Sequence, residues 1–229
     1  MKTLSRAKQP PTRTRFLKSV KIPSATMLKP GGNNKKLGSK ITTGDWDNAA
    51  IYSLTLEERN SCPTDCKQWT TCYGNNMPFA ARYDHTHPTF YRCLEQNLSD
   101  LINKHVWRKD QPIAIRLHVL GDFFSKEYVE WWQAWLFDWH SVKVWGYTHH
   151  DPQSEIGEAI SRMNEMDNCY IRFSDSKFTA PMNLQANVIA SENERHTGLI
   201  CPEQRGIKLS CGDCAMCWTS NKAINFLQH

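Results

Sequence analysis

Apolar positions along the chain recur with two different periods, and these periods predict alternating strands and helices. Short runs dominated by apolar residues predict strands at residues 48–54, 112–120, 142–147, 169–173, 185–190 and 198–200. Between residues 90 and 106 apolar residues recur every three or four positions, which is typical of a helix. Two further helices are predicted after Ser125 and Ser154, because serine is favoured at the capping position of a helix N-terminus.

Strands that alternate with helices in this way predict right-handed βαβ units and a mostly parallel sheet. The run at 112–120 is apolar at nearly every position, which is typical of a strand buried on both faces. The chain has room for about five or six strands, too few for a closed eight-stranded barrel. We therefore expect an α/β fold that forms a partial or open (β/α) barrel, followed by a cysteine-rich metal-binding segment.

Charge and composition divide the chain into three parts. Residues 1–44 hold eleven Lys and Arg and no acid, whereas the remainder holds 17 basic and 23 acidic residues. Proline and glycine interrupt residues 1–40, so we expect a basic, poorly ordered arm there. An α/β core at 41–200 and the cysteine-rich segment at 201–229 would follow. A basic arm on an acidic body predicts a nucleic-acid or nucleotide partner; the alternative is a solvated leader.

Hydropathy argues against a membrane protein. The mean hydropathy is −0.60, and no run of about 18 apolar residues is present. The N-terminal residues contain no apolar stretch of the kind found in secretory signals. We therefore expect a cytoplasmic protein, in which clustered cysteines bind metal or perform redox chemistry rather than form disulfides.

The first cysteine group consists of Cys62, Cys66 and Cys72, which follow the first predicted strand at a Cys-x3-Cys-x5-Cys spacing. A loop with three thiolates can close around one iron–sulfur cluster or one metal ion. Three protein ligands leave a fourth position open, as chemistry at a metal requires. The alternative is a pair of buried structural thiols with a bystander.

The second cysteine group consists of Cys201, Cys211, Cys214 and Cys217. Four thiolates suit a closed [4Fe–4S] cluster or a structural zinc, and the run Cys-x2-Cys-x2-Cys favours iron–sulfur. One site that takes cysteines from both groups is a third possibility.

Polar residues follow several predicted strands at the point where each strand ends. Gly121 and Asp122 follow the second strand, His149 and His150 the third, and Ser174 begins a polar turn after the fourth. In parallel α/β folds reactive groups collect at this edge of the sheet. The order of the chain thus predicts Asp122 and His149 as catalytic residues near the first cysteine group.

The first cysteine group resembles the cluster-binding loop of radical S-adenosylmethionine enzymes. That resemblance implies a [4Fe–4S] cluster whose open iron binds S-adenosylmethionine. Gly121 and Asp122 stand where the family has a turn that contacts the cofactor. The chain departs from the family pattern, because five residues rather than two precede Cys72 and an Asp replaces the usual Glu.

A second resemblance covers roughly residues 40–229. The motifs SCPTDC…CYG, RLHVLGDFFS, GYTH, IRFSD and CPEQ…CGDCAMCW…INFLQH are similar to those of cysteine-rich phage and plasmid proteins of the gene product 88 family. This resemblance implies a mobile-element origin.

Three functions are compatible with these patterns. The first is an iron–sulfur, radical S-adenosylmethionine-like enzyme that modifies a nucleotide or nucleic acid. The second is a non-catalytic protein, stapled by zinc or iron–sulfur, that binds nucleic acid or host machinery. The third is a metal hydrolase using His118, His149 or Asp122 near a zinc, for which the usual His-Glu-x2-His spacing is absent.

Overall fold

The structure, a computed structural model, describes residues 11–174 and 180–228. Within these residues the strands are β1 (Val20–Lys21), β2 (Lys29–Pro30), β3 (Ala50–Ser53), β4 (Arg82–Tyr83), β5 (Ile113–Leu117), β6 (Val142–Thr148), β7 (Cys169–Ser174), β8 (Gln185–Ile189), β9 (Leu199–Ile200) and β10 (Ile224–Leu227). The α-helices are α1 (Phe90–Leu101), α2 (Lys126–Asp138), α3 (Glu155–Met163), α4 (Cys211–Cys214) and α5 (Met216–Thr219). A π-helix, Ile102–Trp107, continues α1. Short 3₁₀ helices lie at Leu17–Ser19, Gly31–Asn33, Tyr73–Asn76 and Met182–Leu184.

Eight of these strands form one sheet in the order β2-β3-β5-β6-β7-β8-β10-β9. From β3 to β10 every neighbouring pair is parallel, and these six strands follow the order of the chain. At the two edges β2 is antiparallel and β9 is parallel to its neighbour. Because parallel crossovers are right-handed, strands laid down in chain order place their connecting helices on one face of the sheet.

Different parts of the chain cover the two faces of the sheet. Helices α1, α2 and α3 pack on one face, against Ile113, Ile115 and Leu117 of β5. Segments from both ends of the chain cover the opposite face, where Trp46 stacks on Trp218 with ring centroids 5.3 Å apart. The opposite face is therefore closed by the segment that carries the second cysteine group.

The mostly parallel α/β class is confirmed, although the predicted number of strands is too low. The apolar runs match β3 and β5 to β9. The pattern did not predict β2, which has two residues including a proline, or the four-residue β10 near the C-terminus. A partial or open barrel stays a prediction, as does the division of the chain at residues 40 and 200.

Helix caps agree with the sequence. The Ser125 hydroxyl accepts the backbone N–H of Tyr128 at 3.2 Å, and the Ser154 hydroxyl accepts that of Gly157 at 3.0 Å. These bonds satisfy amides that have no partner within the helix. In the described residues, none of the helices combines the length and apolar character needed to cross a bilayer.

The N-terminal segment differs from the poorly ordered arm expected at residues 1–40. Residues 1–10 lie outside the described residues, but residues 11–40 include β1 and β2 and pack on the body. Met27, Leu28 and Leu37 are buried, and the Leu28 amide donates to Asn97 Oδ1 at 2.7 Å. These isolated apolar residues have no periodicity, because contacts with distant parts of the chain rather than local structure bury them.

Gly146 lies in β6, where the backbones of β5 and β6 are in close contact. A Cβ there would overlap the Leu117 carbonyl oxygen of β5. We expect Gly146→Ala to lower the free energy of unfolding by about 3 kcal/mol or more, because overpacking against backbone forces the strands apart. Urea unfolding followed by circular dichroism measures the change.

Gly32→Ala is the matched control for this substitution. The nearest atom to a Cβ at Gly32, the Cβ of Ser39, lies 3.8 Å away. Equal stability of the two variants would contradict the close packing of β5 and β6.

Candidate functional site

A buried arginine fixes the loop that carries the first cysteine group. Arg82 in β4 has no exposed surface, and its guanidinium donates to both carboxylate oxygens of Glu58, at 2.5 and 3.0 Å. Its other N–H groups donate to the carbonyl oxygens of Gly74, Met77 and Ala80, at 3.1, 2.9 and 2.8 Å. These bonds hold the segment that follows the third cysteine of the group.

The three thiols of this loop share one electrostatic environment. Burial raises the pKa of Cys62, Cys66 and Cys72, that of Cys66 to about 12, and the charges of Cys66 and Cys72 further raise that of Cys62. Backbone amides oppose the rise, because Gln68 donates to the Cys66 sulfur and Gly74 to the Cys72 sulfur. Each amide lies two residues after its cysteine, and such N–H···S bonds favour a thiolate ligand.

The turn after β5 lies against this loop. The Asp122 side chain is buried, and its two oxygens accept the backbone N–H groups of Phe123 and His149, each at 2.8 Å. The Asp122 amide donates to Ser61 Oγ at 3.2 Å. Burial is the largest cause of the raised pKa of Cys62, and the negative charge of Asp122 is the second. The structure thus brings Asp122 and the His149 backbone beside the first cysteine group.

Close packing accounts for the glycine in this turn. Gly121 has a φ of +85°, and a Cβ there would lie 2.6 Å from Ser61 Oγ and 2.7 Å from Leu56 Cβ. A larger residue would push the turn away from the cysteine loop. A contact between Gly121 and a cofactor stays a prediction.

The neighbouring histidines have structural partners. His150 Nε2 donates to the Phe123 carbonyl oxygen at 2.6 Å. His118 lies in the core under α2, with its Nε2 3.0 Å from the Tyr128 hydroxyl. Burial lowers the pKa of His118 to about 3, so the imidazole is neutral at neutral pH. His118 is therefore placed as a core residue rather than as a member of the cysteine site.

A second buried arginine holds the segment of the second cysteine group. Arg172 in β7 has no exposed surface, and its guanidinium donates to backbone carbonyl oxygens at 2.9 to 3.3 Å. The acceptors are those of Gln185, Met216, Cys217, Ser220 and Lys222. Four of these belong to the C-terminal segment, which is thereby fixed on the sheet face opposite α1, α2 and α3.

The four thiols of the second group influence one another. Cys201 follows β9, Cys211 and Cys214 begin and end α4, and Cys217 lies in α5. Burial raises the pKa of the last three, and the charge of Cys201 contributes to each rise. These effects indicate that Cys201 lies near the other three cysteines; that the four share one metal site stays a prediction.

Hydrogen bonds to sulfur occur in this group too. The Met216 amide donates to the Cys214 sulfur, again two residues after the cysteine. The Tyr147 hydroxyl donates to Cys217 Sγ at 2.7 Å. Both bonds favour a charged sulfur, so the donor chemistry of the second group fits a thiolate-ligated metal or cluster. Among residues 11–174 and 180–228, no three His, Cys, Asp or Glu side chains are arranged as a site that could hold a metal ion.

Sequence reasoning did not identify Arg82, Arg172 and Tyr147 as parts of the two cysteine regions. A signal for Arg172 was present, because this residue interrupts an otherwise apolar strand. A buried guanidinium must find acceptors, so an arginine in such a run indicates a polar segment packed against the sheet.

Comparisons with known proteins match most of the chain. The family model described as gene product 88 matches residues 25–223. The chain is also similar to the Gene 88 protein of Mycobacterium phage D29, with 26% identity over 149 residues. That alignment covers 58% of this chain and 62% of the relative, so the chain spans less than two thirds of the relative's length. No solved structure matches the chain.

We expect Arg172→Met to lower the free energy of unfolding by about 3 kcal/mol or more, because buried carbonyl oxygens lose their donor. Urea unfolding measures the loss. Arg92→Met is the matched control, since Arg92 is exposed on α1. A loss no larger than that of Arg92→Met would show that Arg172 does not hold the C-terminal segment.

His118 makes stability depend on pH. As pH falls below 6.5 the unfolded chain protonates this histidine, whereas the low pKa of about 3 keeps the folded form neutral. The free energy of unfolding should therefore fall with pH between about 6 and 4, by up to about 1.4 kcal/mol per unit. His118→Gln should show a shallower slope over this range; parallel slopes would contradict a buried neutral imidazole.

Proposed function

The chain belongs to the gene product 88 family, as its motifs predicted, and from this premise we propose that it is an iron–sulfur enzyme of mobile-element origin. In this proposal Cys62, Cys66 and Cys72 hold a [4Fe–4S] cluster. The enzyme is radical S-adenosylmethionine-like and modifies a nucleotide or nucleic acid.

The observation that carries the proposal is the position of the first cysteine group in the sheet. Its loop leaves β3, the first of six parallel strands in chain order, and lies against the turn that ends β5, the next of these strands. The carboxyl ends of parallel strands are where α/β enzymes place their reactive groups. Three thiolates there would leave one iron free for a cofactor or substrate.

A [4Fe–4S] cluster held by Cys62, Cys66 and Cys72 would supply the electron for reductive cleavage of S-adenosylmethionine. Two backbone amides hold the Asp122 side chain in place. We propose that this carboxylate binds the amino group of S-adenosylmethionine. We propose that His149, which directly follows β6, transfers protons at the same edge of the sheet. Gly121 permits the close approach of the turn to the loop.

The second cysteine group would hold a closed site. Four thiolates fill the coordination of a [4Fe–4S] cluster or of a zinc ion, so this group staples the C-terminal segment or relays electrons. The number of thiols, four rather than three, supports a site without an open ligand position. A single site that takes cysteines from both groups remains the alternative arrangement.

The basic N-terminal segment supports an anionic substrate. Arg13 pairs with Glu57 at 2.7 Å, and Arg15 donates to the Asn75 carbonyl oxygen at 3.4 Å. Asn75 lies three residues after Cys72, so the segment runs beside the first cysteine group. This placement equally favours the second candidate function, a non-catalytic, metal-stapled nucleic-acid-binding or host-interaction protein.

Cys72→Ala tests whether the first cysteine group holds a catalytic cluster. With dithionite as reductant, the anaerobically purified wild type should release 5′-deoxyadenosine from S-adenosylmethionine. Loss of one cluster ligand should reduce this release by more than about 100-fold. Product is measured by chromatography with mass detection.

Cys93→Ala is the matched control, because Cys93 lies on α1 and packs against the core of the helical face. Its release of 5′-deoxyadenosine should equal that of the wild type. Equal release from both variants, or none from reduced wild type, would reject the proposed mechanism.

A further inference from the structure

Arg116 in β5 lies on the sheet face that the C-terminal segment covers. It pairs in register with Ser53 of β3 and with Trp145 of β6, and Trp145 packs against Trp218 on that face. Unlike the fully buried arginines of the two cysteine regions, Arg116 is only partly buried. A ligand can therefore reach it from solvent.

The guanidinium of Arg116 has a fixed orientation but few hydrogen-bond acceptors in the described part of the chain. It lies over the Tyr147 ring, 4.3 Å from the centroid, and Nη1 donates to the Leu117 carbonyl oxygen. In the part of the chain that the structure describes, no carboxylate forms an ion pair with it. A guanidinium has five N–H donors in a rigid fork, so most of them remain for a ligand.

Arg116 lies beside the second cysteine group. The Tyr147 ring under its guanidinium carries the hydroxyl that donates to Cys217 Sγ at 2.7 Å. One aromatic side chain therefore links the guanidinium to a thiol of that group.

We propose that Arg116 binds an oxyanion of the substrate, a phosphate or a carboxylate, beside the second cysteine group. A planar fork that is stacked on an aromatic ring binds two oxygens of such a group at once. Tyr147, whose hydroxyl donates to Cys217 Sγ, fixes the guanidinium before the ligand arrives. The identity of this ligand as the substrate rests on the proposed function; the oxyanion site itself does not.

Isothermal titration of the full chain, purified anaerobically, tests the site with three probes: inorganic phosphate, malonate and adenosine monophosphate. At least one probe should bind saturably to the wild type. Arg116→Gln should weaken that binding roughly tenfold or more, because hydrogen bonds to a charged group are lost. Tighter binding of the nucleotide than of phosphate identifies a phosphate ester; preference for malonate identifies a carboxylate.

Two further variants make the result specific. Arg108→Gln removes an exposed arginine that follows the π-helix and should leave the affinity unchanged. Arg116→Lys keeps the charge without the fork, so its affinity should lie between those of the wild type and Arg116→Gln. If circular dichroism shows that Arg116→Gln does not fold, the weaker binding of Arg116→Lys decides the question.

Absence of saturable binding to the wild type, or equal affinities of the wild type and the Arg116 variants, overturns the oxyanion site. Iron content measured on the same samples separates this result from the proposed function. Arg116-dependent binding to a protein without iron would reject the cluster and keep the site. An iron-containing protein without such binding would reject the site alone.

Discussion

Two buried guanidinium groups determine where the cysteines of this protein lie. A guanidinium keeps its charge at every relevant pH, so burial is tolerated only where acceptors surround it. Arg82 meets this requirement with Glu58 and the backbone after the first cysteine group, and Arg172 meets it with the backbone of the second. Both arginines project from strands. The rigidity of the strands is therefore passed to two segments that have little regular structure of their own.

The order of the strands brings the two cysteine groups to related positions. The first group and Asp122 lie where β3 and β5 end, and the second group lies on the sheet face away from α1, α2 and α3. Arg116 lies on that same face, over the ring of Tyr147, whose hydroxyl donates to Cys217 Sγ. An anionic ligand bound there would meet a positive charge beside the second group.

The sequence predicts the elements that depend on local residue patterns. It does not predict burial and strand pairing that depend on residues far apart in the chain. Strands of a parallel sheet are buried on both faces, so β5 and β6 appear as apolar runs. Cysteine spacing likewise defines both groups, whose metal stays a prediction. By contrast, Met27 and Leu28 are buried by contacts with the helical face, where the Leu28 amide bonds to Asn97. Strand β10 forms because it pairs with β8 and β9. The acceptors of Arg82 and Arg172 depend on tertiary structure and could not be named in advance.

The central claim, that the thiols hold iron–sulfur clusters, is tested most directly by metal analysis. The wild type would be purified without oxygen and assayed for iron, acid-labile sulfide and zinc, together with an absorbance spectrum. We predict a brown protein that absorbs near 400 nm and contains about four or eight irons per chain with matching sulfide. A colourless protein with about one or two zinc ions per chain would contradict the claim and favour a metal-stapled binding protein.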